Sequence, residues 1–257
     1  MAEDRQIHEN EKEMEVTEHI GELRKRLLWT LFFFIVFFIV GFIYVEEIYH
    51  FFTSDLEFDL VALGPGEIFW IYIMIASVIA ITATIPIFCL QAWGFVRPGL
   101  TPKEKKVTLA YIPAIFLLFI LGLLFGYTIV NNFIIPFLLN LSEGMLVNMF
   151  SADKYFRFLL YFTLPFAFFF EIPLIAMFLT SLGILNPRGM KKIRKYAYFV
   201  IVILGTMLSP PDFILQFFVI IPLIVLYEIA IITSSVVYRK KERELEQLPV
   251  EYKGGEN

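Results

Sequence analysis

Long apolar runs alternate with short polar segments along almost the whole chain. A helix needs about 20 apolar residues to cross roughly 30 Å of hydrocarbon. The first four runs are long enough to do so unaided, whereas we expect the last two helices to be short. The runs cover residues 27–45, 68–90, 107–135, 156–182, 196–209 and 213–237.

The fifth run decides how many times the chain crosses a membrane. At a rise of 1.5 Å per residue, its 14 or so residues would cover only about 21 Å. Pro210, Pro211 and Asp212 separate it from the sixth run, and this sequence favours a tight turn between two helices. The pattern therefore predicts an all-α polytopic membrane protein with six transmembrane helices. A five-span arrangement or a re-entrant fifth segment is the alternative.

The positions of Lys and Arg predict the orientation, because short cytoplasmic loops are rich in both residues. The loop 46–67 has neither, and the loop before the fourth run has only Lys154, with Arg157 just inside the helix. Both termini are therefore predicted to be cytoplasmic. The cations of the predicted cytoplasmic segments are Arg5, Lys12, Arg24, Lys25, Arg26, Arg97, Lys103, Lys105, Lys106, Arg188, Lys191, Lys192, Arg194, Lys195, Arg239, Lys240, Lys241, Arg243 and Lys253.

The two long outward loops are not bare linkers. Residues 44–69 and 131–155 keep aromatic and apolar side chains, so we expect short interfacial helices or a cap over the outer face. The predicted organisation is a flexible cytoplasmic leader at 1–17, a single six-span domain at 18–238 and a charged cytoplasmic tail at 239–257.

Composition supports a membrane protein and narrows the chemistry. Hydrophobic residues make up 58% of the chain, against roughly 45–50% in soluble domains, and mean hydropathy is +0.73. The net charge of −4 gives no sign of nucleic-acid binding. The single cysteine, Cys89, excludes an intrachain disulfide and a CxxC metal pair. Catalytic and phosphate-binding motifs are missing from the sequence, so we predict neither an enzyme nor a cofactor or metal site.

Glu171 is the polar residue that stands out within the spans. It lies in the middle of the fourth run, where a charge costs about 3 kcal/mol on insertion scales, and such residues are commonly functional. Pro173 follows it and predicts a bend that would give the protein a concave face. Gln216 and Glu228 in the last run lie nearer the interfaces and have simpler structural explanations.

Two glutamates of the cytoplasmic segments have local explanations of their own. Glu104 completes a capping box that starts at Thr101, with Pro102 at the first helical position. Glu22 lies beside three basic residues and can form a salt bridge on a helix surface.

Four motifs, in the same order along the chain, resemble those of the TatC family, the multispan component of the twin-arginine protein translocase. The resemblance covers about residues 17–238. The motifs are EHIGELRKRL at 18–27, QAWGFVRPGLTPKE at 91–104, FEIP at 170–173 and LSPPD at 208–212.

The resemblance implies a receptor that binds the twin-arginine signal peptides of folded proteins and forms the core of the translocase. Export would be driven by the proton-motive force across a bacterial inner membrane. Glu22 and Glu104 match the family's two arginine-binding glutamates, and bidentate pairing with a guanidinium suits a carboxylate. Arg24, Phe95 and Pro98 belong to the same implied signal-peptide site.

Other parts of the resemblance concern partners and the membrane interior. Glu171 and Pro173 match the lining of a partly hydrated intramembrane pocket. The implied partners are single-span TatA-like and TatB-like subunits, the lipid bilayer and further copies of the chain in the complex. Some relatives carry a lysine early in the second span, but here residues 69–74 read FWIYIM. The implied partner-contact residues are Thr206, Ser209, Pro210, Asp212 and Gln216.

Two other functions remain open on the residues alone. A small proton-coupled secondary transporter could use Glu171 and short, proline-interrupted helices, but the sequence has neither paired repeats nor a second buried charge at mid-membrane. A purely structural scaffold would need no function for Glu171.

Overall fold

The computed structural model describes residues 2–54, 56, 58–97, 102–142, 149–208 and 213–246. Within these ranges, the side chains of residues 2–19, 102–104, 106, 107, 142 and 244–246 are not described. The chain divides into two compact units. The first comprises residues 1–58 and 64–112, and the second comprises residues 59–63 and 113–257.

Helices account for most of the described chain. They are α1 (Ala2–Ile43), α2 (Val45–Thr53), α3 (Pro65–Val96), α4 (Pro102–Ile129), a π-helical turn (Val130–Ile134), α5 (Ile135–Ser142), α6 (Ala152–Phe169), α7 (Ile172–Ser181), α8 (Pro187–Lys192), α9 (Arg194–Leu208) and α10 (Phe213–Glu246). The segment predicted as a flexible leader lies within α1 as described, and the division into leader, domain and tail stays a prediction.

Five segments of the described chain are long and apolar enough to cross a membrane. A multi-span membrane protein is therefore confirmed. The fifth predicted span is the helix α9, which has 15 residues and falls short of the usual crossing length. The five segments are 20–43, 65–96, 108–141, 152–181 and 213–243.

The prediction that the sixth helix is short was wrong. Helix α10 has 34 residues, and 31 of them form a candidate span. The apolar run is followed by Arg239–Glu246, where bases and acids alternate. Such residues are good helix formers and no proline or glycine interrupts them, so the helix continues beyond the apolar part.

The fourth span is interrupted where the sequence predicts a bend. Helix α6 ends at Phe169 and α7 begins at Ile172, with Pro173 in its first turn. Proline has no amide hydrogen and is tolerated in the first turn of a helix, where that donor would lack a helical partner. Glu171 is the residue that immediately precedes α7.

The two loops predicted to face outward contain short helices and a short strand pair. Helix α2 follows α1 directly, and α5 follows the π-helical turn, which agrees with the expected short helices. Burial raises the pKa of the Tyr49 hydroxyl in α2 above its usual value. Within the second unit, strand β1 (Leu60–Val61) pairs in parallel with β2 (Phe150–Ser151), with Leu60 opposite Phe150.

The first unit is built on the packing of α1 against α3. Gly41 of α1 lies against Ala76 of α3, where an added β-carbon would be 3.2 Å from the Ala76 carbonyl oxygen. Small residues thus let the two long helices approach closely. Helix α2 is also joined to α3, since the Tyr72 hydroxyl donates to Glu46 Oε1 at 2.9 Å.

The second unit has its core between α4, α6, α7 and α10. Gly122 and Gly126 of α4 lie directly against α6. In α7, the Thr180 hydroxyl and the Ser234 hydroxyl of α10 share a buried hydrogen bond of 2.6 Å. Phe119, Phe156, Phe162 and Phe166 are among the fully buried side chains.

Candidate functional site

Glu22 lies on α1, one turn before Arg26, in the basic segment ahead of the first apolar run. Arg26 Nε donates to Glu22 Oε1 at 3.0 Å, and Arg26 Nη2 makes a second, short contact with the same oxygen. The Glu22 side chain is 40% exposed, so solvent still reaches the carboxylate. The local prediction of a helix-surface salt bridge is therefore confirmed.

Arg26 also connects α1 with the last turns of α3. Its Nη1 donates to the backbone carbonyl of Gln91 at 3.4 Å and to the Gln91 side-chain oxygen at 3.3 Å. The guanidinium lies against Gly94, where an added β-carbon would be 2.1 Å from Nη1. A side chain at residue 94 would therefore force the guanidinium, the flexible end of Arg26, to shift from this position.

The other described members of the predicted signal-peptide site lie on the same two helices, α1 and α3. Arg24 is exposed on α1, and Phe95 is half-buried on α3. At the end of the same helix, the Arg97 guanidinium lies 5.2 Å from the centre of the Trp93 ring. The end of α3 thus combines a cation with an aromatic ring.

Several predicted residues lie outside the described part of the chain. They are Pro98, Ser209, Pro210 and Asp212; the backbone of Glu104 is described within α4, but its side chain is not. The pairing of Glu22 with Glu104 around one ligand therefore stays a prediction.

Glu171 is buried in the second unit, with 8% of its surface exposed. Among the described residues, neither of its carboxylate oxygens has a hydrogen-bond partner. Its backbone is regular, since the carbonyl accepts from the Ile175 amide at 2.9 Å. Burying a carboxylate without a hydrogen bond lowers the stability of the folded protein, and residues of this kind within spans are commonly functional.

The remaining predicted contact residues lie on α9 and α10. Thr206 is exposed on α9, and its hydroxyl donates to the backbone carbonyl of Ile203 at 2.8 Å. Gln216 is half-buried in the first turns of α10. The two helices pack closely at Gly205, where an added β-carbon would be 2.5 Å from Ile220 Cγ1.

Sequence reasoning missed one polar cluster, which lies at the start of α9. The Arg194 guanidinium pairs with Glu228 of α10, and the Tyr198 hydroxyl donates to the other oxygen of the same carboxylate at 2.5 Å. Tyr227 extends the cluster by donating to the Met190 carbonyl at 3.0 Å. The sequence predicts Glu228 as an interfacial residue. Because 34 residues separate it from Arg194, no local pattern reveals that pair.

An apolar cavity of about 520 Å³ also lies in the second unit, between α4, the π-helical turn and α10. Its lining is entirely hydrophobic and includes Phe125, Phe133 and Phe217. Among the described residues, no group of acids, histidines and cysteine is placed to hold a metal ion.

Comparison with known proteins gives one consistent result. Residues 18–222 match the sequence model of the family described as Sec-independent protein translocase protein (TatC). TatCd of Bacillus subtilis is 46% identical over 91% of this chain and 97% of its own length. TatCy of the same organism is 41% identical over 90% of this chain and 92% of its own.

Solved structures agree with the sequence comparison. A crystal structure described as the twin-arginine translocase receptor TatC superposes with a TM-score of 0.73 at 28% identity, covering 85% of this chain and 99% of that one. A second crystal structure of that receptor, in the detergent DDM, gives 0.74 at 30% identity, with 84% and 99% covered.

Proposed function

Because the chain belongs to the TatC family of Sec-independent protein translocase proteins, we propose that it is the signal-peptide receptor and core subunit of a twin-arginine translocase. Family membership makes it a component of protein transport rather than an enzyme. The receptor role rests further on the description of the two similar solved structures as twin-arginine translocase receptors. Membership of the TatC family does not favour the alternative function, a small proton-coupled transporter.

One observation carries the proposal: Glu22 already binds a guanidinium in the structure. Arg26 places two of its nitrogen atoms on Glu22 Oε1, and the carboxylate remains partly exposed. The site thus has the chemistry needed to hold an arginine of a ligand, since two guanidinium nitrogens meet one carboxylate oxygen, which the single ammonium group of lysine reproduces poorly. Glu104 would supply the second carboxylate for an adjacent arginine.

The topology that suits this function has six crossings with both termini in the cytoplasm. The alternation of Lys and Arg among the loops supports it, and it places Glu22 and the end of α3 on the cytoplasmic side. The helix α9 would make the fifth crossing, in locally thinned bilayer or with its flanking residues reaching the interface.

Partners and location follow from the same proposal. The chain would work in a bacterial inner membrane with single-span TatA-like and TatB-like subunits and further copies of itself. Contacts with the single-span subunits would involve the region from Thr206 to Gln216. Glu171, with Pro173, would line an intramembrane pocket for the apolar part of the signal peptide, and the proton-motive force would drive export.

The test uses the full chain in membranes with a photo-crosslinking twin-arginine signal peptide. Replacing both glutamates, Glu22→Ala with Glu104→Ala, should abolish the crosslink, because the arginines then lose both of their carboxylates. Glu242→Ala, an exposed acid in the last part of α10, is the matched control and should leave the crosslink intact. Unchanged crosslinking in the double variant would remove the proposed role.

A further inference from the structure

The Arg26 guanidinium is held by acceptors from two helices at once. Its Nε and Nη2 face Glu22 on α1, while its Nη1 faces the backbone and side-chain oxygens of Gln91 on α3. A salt bridge between residues four apart on one helix needs none of the α3 contacts. The two residues around the cation therefore make a more specific site than helix geometry alone would give.

Gly94 completes this site by the absence of a side chain. A β-carbon there would be 2.1 Å from Nη1, 2.8 Å from Cζ and 3.0 Å from Nη2 of Arg26, so any other residue would fill the space that the planar guanidinium occupies. Close approach to a backbone is a reason for glycine that needs no unusual torsion angle.

We propose that Glu22, Gln91 and Gly94 form a guanidinium-binding cradle for one arginine of the signal peptide, and that Arg26 occupies this cradle until the ligand displaces it. The cradle rests on the proposed receptor function. It adds to that function two binding residues, Gln91 and Gly94, and an internal competitor, Arg26. The same acceptors serve both guanidinium groups because the two are chemically identical.

Competition has a measurable consequence. An internal occupant lowers the apparent affinity for the ligand by the fraction of time for which the cradle is free. Pairs four residues apart on a helix surface are weak, so the loss from displacing Arg26 should be about two- to threefold in the dissociation constant. Arg26 would thus favour true guanidinium ligands over lysine, since only a fork of donors replaces every contact it gives up.

The experiment measures binding of two synthetic peptides to the purified full chain in detergent, one with an adjacent arginine pair and one with a lysine pair. Arg26→Gln should bind the arginine peptide about two to three times more tightly, because the cradle is empty. Adding Gly94→Ala to Arg26→Gln should remove that gain, because the methyl group then fills the cradle. Lys25→Gln removes the same charge next to Arg26 and should change the affinity less than Arg26→Gln does.

Each other outcome overturns the cradle. Weaker binding of the arginine peptide by Arg26→Gln would show that Arg26 positions Glu22 rather than competing with the ligand. An equal change in Arg26→Gln and Lys25→Gln would make the effect one of net charge. A gain that survives Gly94→Ala would place the ligand elsewhere. If Arg26→Gln does not fold, Arg26→Lys is the substitute, because lysine keeps the charge but lacks the planar donors of a guanidinium. Arginine-peptide binding no tighter than in wild type would again overturn the cradle.

Failure of the receptor proposal has a separate signature. A wild-type chain that does not distinguish the arginine peptide from the lysine peptide contradicts the receptor function itself. Glu22→Gln should also abolish the discrimination. If wild type binds the arginine peptide more tightly than the lysine peptide, and only the Arg26 and Gly94 variants behave unexpectedly, the receptor function is supported and the cradle is contradicted.

Discussion

Gly122 of α4 and Ala167 of α6 lie in backbone contact, so close that a β-carbon on the glycine would be 2.6 Å from the Ala167 α-carbon. One turn later, a β-carbon on Gly126 would be 2.8 Å from the Thr163 α-carbon. The two pairs have the spacing of a small-residue motif, and they join two helices of the second unit without intervening side chains.

Gly122→Ala should destabilise the second unit by about 1–3 kcal/mol, because the neighbouring atoms belong to the backbone and cannot rotate away. The measurement is the unfolding temperature of the purified protein in detergent. Gly189→Ala is the matched control, since an added β-carbon meets nothing within 4 Å there. Equal unfolding temperatures for the two variants would contradict the close packing.

Gly205→Ala should be destabilising for a different reason, because its neighbour is the Ile220 side chain rather than backbone. Removing that side chain as well, in Gly205→Ala with Ile220→Ala, should cost less than the sum of the two single changes. A coupling of about 0.5–3 kcal/mol is typical of residues in contact. Strictly additive changes in the free energy of unfolding in a double-mutant cycle would show that Gly205 of α9 does not pack against Ile220.

The carboxylate of Glu228 should contribute to the free energy of unfolding through two separable interactions, an ion pair and a hydrogen bond. Glu228→Gln keeps an acceptor for the Tyr198 hydroxyl but removes the ion pair with Arg194, which is 42% exposed and therefore weak, at most about 1 kcal/mol. Tyr198→Phe removes only the hydrogen bond, worth about 0.5–1.5 kcal/mol. Unfolding in low and high salt distinguishes them, since salt should reduce the effect of Glu228→Gln alone. Salt dependence in Tyr198→Phe would contradict this division.

Glu171→Leu should raise the unfolding temperature, because it replaces a buried carboxylate that has no hydrogen-bond partner among the described residues. Glu171→Gln keeps the shape and the polar atoms, so its gain should be smaller. If Glu171 acts in translocation, both variants should lose export of a twin-arginine substrate while remaining folded. Normal export by both would support the scaffold alternative, and lower stability of Glu171→Leu would show that the carboxylate is stabilised by its surroundings.

The long helices could be predicted from the sequence because each apolar run has the length that a crossing requires. The break before Pro173 could also be predicted, since proline disrupts a helix in a known way. The true length of α10 could not, because its charged extension is indistinguishable by composition from a tail. The ladder between Leu60 and Phe150 has too few residues to leave a pattern in either strand.

The candidate site was predictable only in part. The pair of Glu22 and Arg26 follows from their spacing on a helix. The contacts of Arg26 with Gln91 and Gly94 join residues 65 or more positions apart, and only the packing of α1 on α3 reveals them. The GxxxG spacing of Gly122 and Gly126 is visible in the sequence, whereas its partner residues on α6 are known only from the structure.

The π-helical turn Val130–Ile134 has a consequence for how related chains can differ in length. One extra residue in a helix rotates everything after it by about 100°, so the turn determines which side of α5 faces the protein. The Tyr155 hydroxyl donates to Asn131 within this turn at 3.1 Å. Deleting a single residue here would turn Ile135 away from its buried position. Related chains should therefore rarely gain or lose a residue at this turn.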